Sequence, residues 1–142
     1  AFLGRALSQE LRPGEPGRIS FVAGASTIHG AWLALEAEIH GPVTYRVVAT
    51  ATADGATLAT QDAEVTVDGD DTSGLHQEPV GALALDTYSS GWGRTVRWRR
   101  TERIMTFVPR PGATVEVTLA FWPGETTTVE RSRLLVTETV ET

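Results

Sequence analysis

The chain has 142 residues, a formal net charge of −6 and a pI of about 5.0. That length is one domain's worth, and a 41% hydrophobic content supports a packed core rather than disorder. The absence of cysteine excludes a disulfide scaffold, a zinc–thiolate centre and a thiol nucleophile, and the acidic balance disfavours nucleic acid as a partner.

All twelve basic residues are arginine, and there is neither Lys nor Asn. Schiff-base and P-loop chemistry are thereby excluded, as is N-glycosylation. No stretch approaches the roughly 20 apolar residues of a membrane span. The numbering opens at Ala1, which fits either removal of an initiator Met or cleavage of a signal peptide. An extracellular or virion-associated location is favoured.

In residues 2–11, apolar side chains fall at 2, 3, 6, 7 and 11, which is helical spacing over fewer than three turns. Pro13-Gly14-Glu15-Pro16-Gly17 ends it. Residues 1–17 are therefore predicted as an N-terminal arm or short helix. It packs on its own domain or reaches a neighbouring subunit.

Residues 18–142 read as one β-sandwich domain. Segments rich in Val, Thr, Ile and aromatics fall at about 18–23, 30–40, 43–53, 57–67, 79–87, 94–108, 113–122 and 128–140, punctuated by Gly, Pro and Asp. This spacing predicts an all-β antiparallel sandwich, jelly-roll-like, of about eight strands, with a closed barrel as the variant.

Matching faces predicts registers. Across Gly41-Pro42-Val43, Ile39 opposes Tyr45, Leu35 opposes Ala49, and Glu38 opposes Arg46. Across Asp54-Gly55-Ala56, Val47 opposes Ala63, Tyr45 opposes Val65, and Arg46 opposes Glu64. A third hairpin is expected at Trp122-Pro123-Gly124-Glu125, where Pro-Gly suits a type II turn.

No catalytic constellation emerges. His29 and His40 flank one strand, about 36 Å apart at ~3.3 Å per residue, so they share no metal. They and His76 are expected at the surface or in turns. Glu36 and Glu38 share an open sheet face, where nothing separates their acidities as paired-carboxylate catalysis requires. Asp68, Asp70 and Asp71 form the densest acidic loop. It is a weak Ca²⁺ candidate that lacks the EF-hand pattern, and an ordinary turn is the alternative. No cofactor is predicted.

The most unusual segment spans Tyr88 to Arg103. Arg94, Arg97, Arg99, Arg100 and Arg103 fall within ten residues of an otherwise acidic chain, beside Trp92 and Trp98. Arg and Trp dominate interface hot spots, and Arg stacks on aromatic faces. This segment is predicted to contact a neighbouring subunit, or to stack sugar rings on Tyr88 and Trp92. The alternative is a plain strand whose arginines pair with glutamates such as Glu116. Trp32 and Trp122 fall on the outer faces of their strands; on one sheet they make an exposed apolar patch, unless the arm covers one. Gly91-Trp92-Gly93-Arg94-Thr95-Val96-Arg97-Trp98 resembles one strand of the streptavidin-like barrels. Residues 129–136 lack the Trp of that family's biotin site, so the resemblance carries no function.

These features predict a non-enzymatic structural or interaction module, a protomer of a coat, decoration or appendage type of assembly. Its partners are further copies or other protein subunits. The alternative is a carbohydrate-binding module.

Overall fold

The computed structural model describes residues 2–24, 28–39, 43–67, 75–80, 83–90 and 96–140. Among the described residues there are ten strands: β1 (Phe2–Glu10), β2 (Gly17–Val22), β3 (Ile28–Ile39), β4 (Val43–Ala53), β5 (Ala56–Val67), β6 (Leu75–Val80), β7 (Leu83–Ser90), β8 (Val96–Phe107), β9 (Thr114–Pro123) and β10 (Thr127–Val140). They form two antiparallel sheets, one of six strands in the order β1-β10-β3-β8-β7-β6 and one of four in the order β2-β9-β4-β5. The protein is an all-β sandwich. Each sheet ends in two open edges, so the closed-barrel variant is not formed. Among the described residues no helix is long and apolar enough to cross a membrane.

Period-2 patterning builds the core. In β4, Val43, Tyr45, Val47, Ala49 and Ala51 are buried while Thr44, Arg46, Val48 and Thr50 lie outward. β9 answers with buried Val115, Val117, Leu119 and Phe121. Leu33, Leu35 and Leu134 complete the layer from the larger sheet. Full burial of each such side chain stabilises by roughly 1.5–3 kcal/mol over an exposed one.

The β4–β5 register is the predicted one: Val47 opposes Ala63, Tyr45 opposes Val65 and Arg46 opposes Glu64. The turn at Asp54-Gly55 has positive φ at both residues, 49° and 82°. That is the twist-matched hairpin turn, and it favours the Asp-Gly pair found there.

The other two predicted hairpins are not hairpins. β3 lies in the larger sheet and β4 in the smaller, so Glu38 does not oppose Arg46. The chain likewise crosses between sheets from β9 to β10. Matching of apolar faces cannot separate these outcomes. Two strands that face each other across a core satisfy it as well as two strands side by side.

The N-terminal helix is also overturned. Residues 2–10 form β1, an edge strand paired with β10 of the same chain from Phe2↔Val140 to Glu10↔Arg133. Gly4 is an extra residue between Leu3 and Arg5 in that ladder. This bulge breaks the alternation and leaves a spacing that mimics a helix. A helix this short is marginal alone, whereas the open edge of β10 supplies hydrogen bonds. The predicted strand at 79–87 resolves into β6 and β7, paired from Leu75↔Tyr88 to Val80↔Leu83.

Candidate functional site

The Arg/Trp-rich segment is mostly β8, an internal strand between β3 and β7. Its register places Arg99 between Glu36 and Tyr88, and Arg97 between Glu38 and Ser90. Arg100 pairs with Leu35 instead, so successive arginines belong to opposite faces. Arg100 Nε donates to Glu102 Oε2 at 2.7 Å. The Arg103 guanidinium lies 5.9 Å from the Trp32 ring centroid. The arginines are thus divided between two faces. Glu116, on the other sheet, meets Arg18 at 3.5 Å. Trp92 and Arg94 lie outside the described residues, as do Asp68, Asp70, Asp71 and His40. Of Tyr88, Arg97, Trp98 and His76 only the backbone is described. Among the described residues no group of three or more His, Asp or Glu is arranged to hold a metal ion.

Trp32 and Trp122 do not share a patch, because β3 and β9 belong to different sheets. Trp32 does lie on the outer face, yet it is only 5% exposed. Its ring lies against Gly30, where a Cβ would sit 2.9 Å from the indole nitrogen and 3.0 Å from Thr137 Oγ1. Trp32 Nε1 donates to Thr137 Oγ1 at 2.8 Å. Ala34 and Leu135 pack beside it in a small apolar cluster outside the main core. Among the described residues, neighbours on β10 and β8 cover this Trp.

Trp122 is 43% exposed on the outer face of the smaller sheet. Arg46, opposite it on β4, holds its guanidinium 5.7 Å from the ring centroid. The same guanidinium donates to both Asp62 oxygens, at 3.1 and 2.9 Å. A row of carboxylate, guanidinium and indole therefore crosses β5, β4 and β9. The bonds from Arg46 hold the Asp62 carboxyl below its ordinary range. The turn before β2 abuts the row, with Gly14 N–H bonded to the Phe121 carbonyl at 2.8 Å. Two rows from Arg46 and Trp122 on the same face, beyond Val48 and Ala120, Thr60, Thr50 and Thr118 line up across the three strands. The result is an aromatic and cationic surface suited to stacking a planar or ring-shaped group.

His29 overturns its expected surface position. It is fully buried, with ring centroids of Phe21 and Phe107 each 5.5 Å away in stacked geometry. Its Nε2 lies 3.2 Å from Glu138 Oε2. The signal was present in the sequence: extending the alternation of Leu35 and Leu33 back through Ala31 puts His29 on the inner face. Next to these three rings in sequence stand Val22, Ile28 and Val108, which are 59%, 44% and 65% exposed. They lie at strand ends, where β2 and β8 finish and β3 begins.

No family model, curated protein or solved structure matches the chain.

Proposed function

We propose that the protein is a non-enzymatic interaction module, a protomer of a larger assembly of coat, decoration or appendage type. The observation that carries this reading is the exposure of Val22, Ile28 and Val108, each next in sequence to one ring of the buried Phe21–His29–Phe107 stack. Large apolar side chains left exposed near one end of the fold favour cover by another surface. The contact region differs from the one read in the sequence. β1 is engaged with its own β10, while Arg100 and Arg103 are engaged with Glu102 and Trp32.

Light scattering over a range of concentration and salt tests the reading. The expected result is an oligomer that Val22→Asp and Val108→Asp dissociate without loss of the folded circular dichroism spectrum. A strict monomer at high concentration overturns it.

Trp122 favours carbohydrate as the second reading, with its exposed ring and the Arg46 guanidinium as a platform. Retention on insoluble polysaccharide that Trp122→Ala abolishes would support it. Equal retention of both proteins would refute it.

A further inference from the structure

Among the described residues Asp54 is the only non-glycine residue with positive φ, and Gly55 follows it. Among aspartyl pairs, Asp–Gly is the one most open to attack on itself. The Gly backbone nitrogen attacks the Asp side-chain Cγ, and the new N–Cγ bond closes a five-membered succinimide. One carboxyl oxygen leaves as water, taking the amide proton and the carboxyl proton. Water then opens the ring at either carbonyl. Opening at the backbone carbonyl gives isoaspartate, whose main chain runs through Cβ and Cγ. The reaction needs no oxidant, cofactor or enzyme. Glycine permits it because no side chain hinders its nitrogen. Around Gly55, apart from its chain neighbours, nothing lies within 4 Å of the position a Cβ would occupy.

The fold acts against this reaction. Past Ala53↔Val115, the last pair of the β4–β9 ladder, Asp54 and Thr114 exchange two hydrogen bonds. Asp54 N–H donates to the Thr114 carbonyl at 2.9 Å, and Thr114 N–H donates to Asp54 Oδ1 at 3.0 Å. Arg110 Nη2 stands 3.5 Å from the other carboxyl oxygen, Oδ2. Both carboxyl oxygens are thus engaged with the turn that leads into β9. That turn is itself fixed: Ala113 N–H bonds the Arg110 carbonyl at 3.1 Å, and Gly112 N–H bonds the Ala23 carbonyl at 2.8 Å. To close the ring, the carboxyl has to give up these donors, and the Asp54 backbone has to rotate out of the hairpin-turn conformation.

The guard is thin. The side chains of Arg110 and Asp54 are 82% and 50% exposed, and ion pairs that open to water contribute little. Releasing this turn exposes no core side chain, so it opens locally while the sandwich stays folded. We infer that Asp54–Gly55 is a site of spontaneous isoaspartate formation, latched by the Thr114 amide and the Arg110 guanidinium and reached by local opening of the β4–β5 turn. The inference is independent of the interaction-module reading. The product adds one atom to the main chain of a two-residue turn, which then no longer fits the Ala53↔Ala56 closure.

The test incubates the full chain for weeks at neutral pH, native and unfolded in urea, and follows isoaspartate by peptide mapping. In urea, Asp68–Gly69, the chain's other Asp–Gly pair, serves as the reference. The expected result is isoaspartate at Asp54 in both samples, formed at least tenfold more slowly in the native one. Thr114→Pro, which removes the amide donor, is expected to move the native rate most of the way to the urea rate. Arg110→Gln is expected to raise it a few-fold with the urea midpoint unchanged; should Thr114→Pro fail to fold, this variant decides. Leu119→Ala, in the core, is expected to lower the urea midpoint and leave the native rate as it is. A native rate equal to the urea rate would overturn the latch, as would a rate that neither latch variant changes. A rate that rises with Leu119→Ala would assign the reaction to global unfolding and overturn the local route. Isoaspartate at Asp68 but not at Asp54 in urea would remove the site itself.

Discussion

Gly30 and Trp32 belong to one arrangement. The ring is buried on the outside of a sheet because the residue two positions back has no Cβ, which brings the indole N–H onto Thr137. Gly30→Ala is expected to displace the ring, break that bond and cost about 1–3 kcal/mol. Urea denaturation together with Trp32 fluorescence would measure both effects. Thr127 offers the opposite case. Its hydroxyl oxygen is buried and has no hydrogen-bond partner among the described residues. Thr127→Val is expected to be stabilising by up to about 1 kcal/mol, because it removes a desolvated polar group without emptying the site. Alternation placed Trp32 outward from sequence alone. Its burial was not legible, because the cover comes from Thr137 and Arg103 on strands that pair with β3 over long separations.

Legibility also varied between elements, for physical reasons. The β4–β5 hairpin was readable because Asp54-Gly55 imposes both turn geometry and register. The Gly-Pro and Pro-Gly loops impose no such register, and the strands they join enter different sheets. β1 was misread because Gly4 shifts the phase of its apolar residues. Within the readable pair, Arg46 bonds Asp62 diagonally rather than Glu64 directly opposite. Asp62 binds its proton less tightly folded than unfolded. Its contribution is therefore present above the ordinary value of 3.8 and is lost as pH falls through the lowered one. A carboxyl NMR titration should place the Asp62 midpoint below 3.8, and Arg46→Gln should return it to the ordinary range. A midpoint unmoved by that substitution would show that the bidentate pair is not the cause. Of the candidate site, Trp122 was legible as an outward Trp. Its partner Arg46 was not, because β4 and β9 are neighbours only in the folded sheet.

For the whole molecule, alkaline stability should report the core. Tyr45 is buried between the sheets, and burial first, then the charge of Glu102, pushes its hydroxyl well above the ordinary value of 10. A group raised in the folded state favours folding fully below its unfolded pKa and withdraws that support as pH rises. Stability should therefore fall above pH 10, where the unfolded chain releases the Tyr45 proton and the folded one retains it. Tyr45→Phe should flatten this limb of the stability curve measured by urea titration at pH 9 to 11. An unchanged limb would place the alkaline loss elsewhere.

The strand order also governs how the molecule is made. β10 lies between β1 and β3, and β9 lies between β2 and β4, so the earliest strands are joined through the latest ones. During synthesis, β1, β2 and β3 emerge from the ribosome long before the strands that hold them in their sheets. Long-range pairing of this kind makes folding slow and leaves intermediates with open edges. Nascent chains halted before β9 would carry unpaired, apolar strands, which are substrates for chaperones and for aggregation. Loss of β10 would split the six-stranded sheet at an interior position rather than trim its border.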